Sequence, residues 1–442
     1  IRRPPRSTLF PYTTLFRSVY TMKYFSFALI LALATASEWA ILLAGSEGYG
    51  NYRHQSDVAH MYGVLTDHKY DPEHIITLMV DDLPDNMRNP FPGTIFNHPG
   101  DNQRNYHDGL VVDYDKSVEI NVELYSAILL GDAEKVTKLT GIKNPKVLKS
   151  TAEDNVFLYY IDHGGDNIVA MPSGGYLTSE TLIGLIQKMH DNKMYNRLVY
   201  YLEACESGSM WQKLPKDINA YALSSTYPDE SSWGTYCPPD DIVDGKHIGS
   251  CLGEVWSCFW LEQDDTADLK TLTLQKQFDD AKAFTTTSHP LQFGDMEIAK
   301  DVLVNYISGD VSRRKFLRSE NRRPSNWNSR DNELLFWKYQ ALDTNNKEAF
   351  EKYMEITQRN LNVDRYFNNL VKKVMGNDDL MLDVHIADKN WNCYNAVLEK
   401  YESTYGFNDY SLKYARTLAN MCSMYNGNDA DILNAEIGRA HV

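Results

Sequence analysis

Nowhere in the 442 residues does an Asn-x-Ser/Thr triplet occur, so N-linked glycosylation is not expected. An HExxH pair and a repeated CxxC are missing too, and His54 with His60 lacks helical ligand spacing. "GSEGYGNYRH" is glycine-rich, but its GxxGxG spacing is not the GxGxxG of a phosphate cradle. No cofactor and no metal are therefore expected. Cysteine is scarce: six residues are too few for a disulfide-built scaffold and enough for a couple of bridges. Apolar runs fall short of the roughly 20 residues that a membrane span needs. A net charge of −16 repels nucleic acid and anionic membrane surfaces, so neither is expected as a partner.

The two ends are expected to be foreign to the fold. Codons for Thr14-Leu15-Phe16-Arg17-Ser18, read on the opposite strand, encode the Ile-Gly-Arg-Ala that stands at 437–440. Residues 1–21 and 437–442 thus resemble a translated sequencing adapter and are set aside. Without Arg2, Arg3, Arg6, Arg17 and Arg439 the remainder is more acidic still. From Met22, "MKYFSFALILALATAS" has a lone Lys, a short apolar run and Ala34-Thr35-Ala36, the pattern of a secretory signal over 22–37.

From Glu38 to about Gly309, strand-like runs such as "WAILLAGS", "HIITLMV", "NVFLYYIDHGG" and "RLVYYLEACESGS" alternate with helical patterns. Alternation of this kind implies an α/β domain over 38–308, a mainly parallel sheet covered by helices on both faces. Ligand chemistry in such sheets gathers beyond the carboxyl ends of the strands. "GDVSRRKFLRSENRRPSNWNSRDN" is polar, basic and weakly periodic, and reads as an exposed linker. After it the pattern is helical. Tyr366, Phe367, Leu370, Val371, Val374 and Met375 share one face, as do Leu412, Ala415, Leu418 and Cys422. Cys237 and Cys251 flank one loop, where a bridge would stabilise by roughly 3 kcal/mol on the chain-entropy model. Cys393 and Cys422 are a candidate second pair, leaving Cys205 and Cys258.

The informative stretches are "YYIDHGG" and "YYLEACESGSM", apolar strands that end in His163 and Cys205 where the chain leaves the sheet. A thiol needs a base or an electropositive setting to become a nucleophile. A His and a Cys at the carboxyl ends of two strands can meet that need. Gly164 and Gly165 leave room for a substrate carbonyl, and the amides of Gly164 and Cys205 are candidates for an oxyanion hole.

"GNYRHQSDVAHMYGVL", "DHGG", "YLEACESGSM" and "DESSWGTYC" strongly resemble the legumain family of asparaginyl endopeptidases, among the caspase-like cysteine peptidases. The resemblance implies a caspase-like α/β/α sandwich followed by a small all-α prodomain, here 346–436, with 309–345 as activation peptide. It makes Cys205 the nucleophile, His163 the general base and acid, and Asn51 the residue that orients the imidazole. It assigns the primary pocket to Arg53, His54, Glu203, Ser231 and Glu254, and succinimide- and ligase-linked behaviour to Asp162. An Asn side chain would receive a donor from Arg53 and acceptors from Glu203 and Glu254. The family usually has Asp where this chain has Glu254, and the extra methylene shrinks a small pocket. Substrates would be peptides and proteins, cut after Asn and, at low pH, after Asp. The prodomain would inhibit until self-cleavage in acid at Asn345, with Asn346 or Asp343 in reserve. Cystatin-type inhibitors are further expected partners, and a lysosome, vacuole or the extracellular space the expected destination.

Three other readings compete. A peptide ligase shares the site, but Gly234 at the gatekeeper position resembles the hydrolases. A GPI-transamidase subunit lacks the "CESGSM" signature and the helical prodomain. A catalytically dead binding protein would not need both His163 and Cys205.

Overall fold

The computed structural model describes residues 37–307, 325–342, 346–384, 386 and 389–435. Both expected adapter ends, the signal segment to residue 36, the stretch 308–324 and the triplet 343–345 lie outside the described residues. Along the chain run strands β1 (Glu38–Ala44), β2 (Ile75–Leu78), β3 (Asn155–Ile161), β4 (Gly164–Gly165), β5 (Ile168–Ala170), β6 (Tyr176–Thr178), β7 (Arg197–Glu203), β8 (Ala220–Ser224), β9 (Trp233–Thr235), β10 (Ile242–Val243), β11 (Lys246–His247), β12 (Gly253–Glu254), β13 (Leu291–Gly294) and β14 (Trp327–Asn328). The helices are α1 (Tyr52–Asp67), α2 (Val122–Leu129), α3 (Ala133–Thr140), α4 (Ser179–Asp191), α5 (Val255–Asp264), α6 (Leu274–Phe284), α7 (Val304–Ile307), α8 (Asn332–Gln340), α9 (Lys347–Met375), α10 (Trp391–Tyr405), α11 (Ala415–Met424) and α12 (Asp429–Ala435).

Six strands form the main sheet in the order β13–β8–β7–β3–β1–β2, all parallel except the edge strand β13. The central strands are apolar on both faces, as a sheet covered by helices on each side requires. Ala40, Leu42, Phe157, Tyr159, Val199 and Tyr201 pack with α1, α5 and α6. Their alternates Ile41, Leu43, Leu158, Tyr160, Leu198 and Tyr200 pack with α2 and α4. Burying each large apolar side chain among these contributes about 1.5–3 kcal/mol. Helix starts follow side-chain caps: Asn121 accepts from Leu124 N on α2, and Thr178 from Thr181 N on α4. This is an α/β/α sandwich with a mainly parallel sheet, as the resemblance implies.

The C-terminal helices α9 to α12 close around their own core of Phe367, Val371, Tyr394, Leu418 and Met421. A Cys393–Cys422 disulfide ties α10 to α11, and Cys237–Cys251 closes the loop between β9 and β12. The helical core also takes in Ile168 of β5. Gly165 makes that approach feasible: a Cβ there would lie 2.9 Å from the Leu412 carbonyl and 3.2 Å from Ala415 Cβ.

One expectation is corrected. The polar stretch through Asn332 reads as an exposed linker, yet its last residues are packed. β14 adds antiparallel to β9, and Ser329, Arg330 and Asn332 are buried. Their partners, Ser232, Glu254, Glu206 and Gly50, are all distant in the chain, so no local pattern announces the burial. Among the described residues no helix is long and apolar enough to cross a membrane.

Candidate active site

Register brings the two expected reactive residues together. β3 and β7 pair from Asn155↔Arg197 to Ile161↔Glu203, and Asp162 N still donates to Glu203 O at 3.1 Å. Two residues beyond the end of each strand stand His163 and Cys205. A Cβ on Gly164 would sit 2.4 Å from the Cys205 carbonyl oxygen, so only glycine lets the two turns approach. Ala204 points into the opposite core with Met210 and Trp211, whereas Glu203 faces α5.

Asn51 precedes α1 and is anchored through its own amide, which donates to Glu47 O at 3.1 Å. Its Oδ1 lies 3.0 Å from His163 Nε2 and also accepts from Arg53 Nη1 at 3.2 Å. A carbonyl oxygen only accepts, so His163 carries its hydrogen on Nε2 and keeps Nδ1 unprotonated. Burial, with Arg53 and Arg330 close by, holds the imidazole well below its ordinary range. Burial likewise pushes the Cys205 thiol up. The thiol meets Ser232, whose N–H lies 3.3 Å and whose Oγ lies 3.5 Å from Sγ. Ser231, the expected pocket residue, stands beside it, partly exposed.

Arg53 is wholly buried and pairs with Glu254, Nε to Oε1, at 2.6 Å, not with Glu203. Its Nη2 is buried and has no hydrogen-bond partner among the described residues. Glu203 accepts instead from the N–H and Oγ of Ser257, at 3.2 and 3.0 Å. Burial raises both carboxyls, Glu203 well above its ordinary value, where the neighbouring Glu254 adds to the effect. His54 stacks edge-on against His163 with ring centres 4.9 Å apart, and its Nε2 is 3.4 Å from Glu254 Oε1. Asp162 is buried, with His54 Nδ1 3.6 Å from its Oδ1, and burial raises it well above the usual carboxylate range. Gly234 pairs with Glu254 on one side and Trp327 on the other. Cys258, the second free thiol, is sealed against Asp57 and Asn97.

His54, Asp162 and His163 each bring one potential ligand atom to within 4.8 Å of the others. One nitrogen of each ring is engaged: Ser46 Oγ holds His54 Nδ1 at 2.6 Å and Asn51 holds His163 Nε2 at 3.0 Å. The Arg53 guanidinium acts on both rings and repels a cation. These side chains serve the imidazole better than they would serve a metal.

The helical region covers this site. Asp409 Oδ1 lies 3.2 Å from His163 Nε2. Glu206, which follows the thiol in a left-handed turn at φ 58°, receives Arg330 Nη2 at 3.2 Å and Arg416 Nη2 at 3.3 Å. Lys389 Nζ reaches Asp166 Oδ2 at 3.2 Å, with both side chains buried. Beside His163 and Asn51, a cavity of about 630 Å³ is lined by both parts of the chain, including Tyr49, Tyr176, Phe336 and Phe407. Asn346 caps α9, its side chain accepting from Ala349 N at 3.0 Å, while Asp343 and Asn345 lie outside the described residues. Ser232, Ser329, Arg330, Glu206, Asp409 and Arg416 escape sequence reasoning. Of these Glu206 and Ser232 lie in stretches that carry the resemblance, "YLEACESGSM" and "DESSWGTYC", and the other four do not.

Comparison with known proteins agrees with this architecture. The model of the peptidase C13 family matches residues 38–310, and that of the legumain prodomain matches 351–435. The vacuolar-processing enzyme of Citrus sinensis is 34% identical over 414 residues, covering 88% of this chain and 82% of that one. The delta-isozyme of Arabidopsis thaliana is 34% identical over 415 residues, 88% of each chain. The enzyme of Vicia sativa is 35% identical over 414 residues, again 88% and 82%. The chain belongs to the legumain family of C13 peptidases, as a cysteine endopeptidase that carries its own prodomain.

Proposed function

We propose that the chain hydrolyses peptide bonds after Asn, and increasingly after Asp as pH falls, and that it is made as a zymogen that processes itself in acid. The observation that carries the specificity is the slot around Arg53. Its unpartnered Nη2 is a donor for a carboxamide oxygen, and Glu203 and Glu254 are acceptors for the amide protons. A longer Gln or an apolar side chain would leave these buried groups unpaired.

In this reading Cys205 Sγ attacks the scissile carbonyl as His163 Nδ1 takes the thiol proton. Asn51 holds the ring by accepting from Nε2. The amides of Gly164 and Cys205 receive the developing oxyanion. His163 then returns the proton to the leaving amine and activates the water that releases the acyl group. Asp409 on the imidazole and Ser329 in the pocket support a latent form, since both must leave before substrate enters. Asn345 is the preferred self-cleavage site; the Asn346 carboxamide is engaged as a helix cap. Two disulfides and the family support passage through an oxidising secretory route toward a vacuole, lysosome or the exterior.

The test is incubation of the proenzyme in mildly acidic buffer with fluorogenic peptides carrying Asn, Asp or Gln. Preference for Asn, shortening of the chain near residue 345 and loss of both in Cys205→Ala are expected. Equal cleavage after Gln, or cleavage that survives Cys205→Ala, would overturn the reading.

A further inference from the structure

The thiol has a polar neighbour outside the Cys–His–Asn set. Ser232 is 2% exposed and presents both its N–H and its hydroxyl to Cys205 Sγ. The same hydroxyl lies 3.0 Å from Ser329 Oγ, and Ser329 Oγ lies 3.1 Å from Glu254 Oε1. Ser329 is held in this position by its own N–H, which donates to Ser232 O at 3.1 Å. Cys205, Ser232, Ser329 and Glu254 therefore form one continuous hydrogen-bonded row from the nucleophile to the pocket carboxylate. Its third member belongs to the stretch between the peptidase domain and the proposed cut at Asn345, and it occupies the pocket in this covered form.

Each hydroxyl in that row has a single proton to give. Glu254 is ion-paired with Arg53 and accepts. Ser329 therefore donates to Glu254 and accepts from Ser232. Ser232, having given its proton to Ser329, can offer the sulfur only a lone pair. An acceptor suits S–H and disfavours S⁻.

We infer that Ser232 is a further catalytic residue that sets the charge state of Cys205, and that Ser329 keeps the thiol protonated in the zymogen by drawing the Ser232 proton away from it. When residues 325–332 are displaced from the pocket, the Ser232 hydroxyl turns its proton onto the sulfur and joins the backbone N–H. Two donors then stabilise the thiolate. The S–H bond is the only one that breaks, and its proton goes to His163. The segment thus acts on the chemistry of the nucleophile as well as on access to it. The inference rests on Cys205 being the nucleophile of the proposed reaction.

The experiment follows alkylation of Cys205 by iodoacetamide across pH, read by mass spectrometry of the tryptic peptide. Absolute rates report access to the buried thiol, whereas the midpoint of the pH profile reports its ionisation. In the full-length proenzyme, Ser329→Ala should lower the midpoint by roughly one to two pH units, the worth of one hydrogen bond to a charged group. The same substitution in a Ser232→Ala background should shift nothing, because the row is already broken. In the activated enzyme Ser232→Ala should raise the midpoint and Ser232→Thr should restore it. An equal shift from Ser329→Ala with and without Ser232 would mean simple steric opening and would overturn the inference, as would no shift in either. Failure of the underlying reading is separately visible as peptide cleavage that persists in Cys205→Ala.

Discussion

Arg416→Met is the substitution that separates the docking of the prodomain from the stability of the whole chain. Arg416 is 1% exposed, lies 3.3 Å from Glu206 and also donates to the Pro228 carbonyl, both in the peptidase part. Methionine keeps much of the volume but leaves Glu206 with Arg330 as its one close cation among the described residues and the Pro228 carbonyl short of a donor. Breaking a buried pair by deleting one partner costs about 3–5 kcal/mol. Arg330 remains at 3.2 Å, so the lower end, about 3 kcal/mol, applies. That corresponds to roughly a hundredfold change in the opening equilibrium. The assay is hydrogen exchange on full-length chain carrying Cys205→Ala, which prevents self-cleavage. Amides of α10 and α11 should lose protection by that factor while β3 and β7 keep theirs. Unchanged exchange in α10 and α11 would refute the reasoning, and an equal loss in β3 and β7 would mean the fold had weakened instead.

Three further outcomes follow from the site. Glu254→Asp removes one methylene beside Arg53 and should widen the slot, changing the Asn-to-Gln ratio of kcat/KM by roughly tenfold; an unchanged ratio would show that the extra carbon does not matter. Glu203 and Glu254 both sit above their ordinary 4.5, so the Asp-to-Asn cleavage ratio should climb as pH falls through those raised values and flatten in Glu203→Gln; equal Asp and Asn cleavage at neutral pH counts against the argument. His163 is held well below its ordinary 6.5 while covered, so docking keeps this contribution above about pH 6.5 and loses it as pH falls toward the depressed value. His163→Gln should therefore blunt acid-induced exchange in α10 and α11, and an unaltered acid response would contradict this.

That last sign departs from the simplest picture, in which protonated carboxylates let the prodomain go. Glu206 and Asp409 are raised by burial in the covered state. Protonation favours the state in which a group binds its proton more tightly, so these two oppose release below their raised values. His163, uncovered and free to become charged, supplies the term of the right sign.

How much could be read beforehand depended on whether a residue's partner lay in its own element. Strands β3 and β7 were legible because "VFLYYI" and "LVYYL" are apolar on both faces and end in His163 and Cys205. The amphipathic face of α9 was legible for the same reason, in a 3.6-residue period. Arg53 was recognisable as a pocket donor, but its ion-pair partner was not, since α1 and β12 meet only in three dimensions. The segment 325–332 misled outright: "SNWNSRDN" has linker composition, and its burial depends on β9, Glu254 and Glu206. Ser232 could not be told from Ser231 without the turn that aims one at the sulfur and leaves the other partly exposed.

The most direct test of the central claim is covalent capture of the activated enzyme by an electrophile built on an Asn side chain, with the adduct located by mass spectrometry. One adduct on Cys205, none on the sealed Cys258, and strong weakening of capture in Arg53→Met and His163→Gln are the predicted result. An adduct on Cys258, or capture by a Gln-based probe as efficient as by the Asn-based one, would contradict a thiol and an imidazole working beside a slot made for carboxamide.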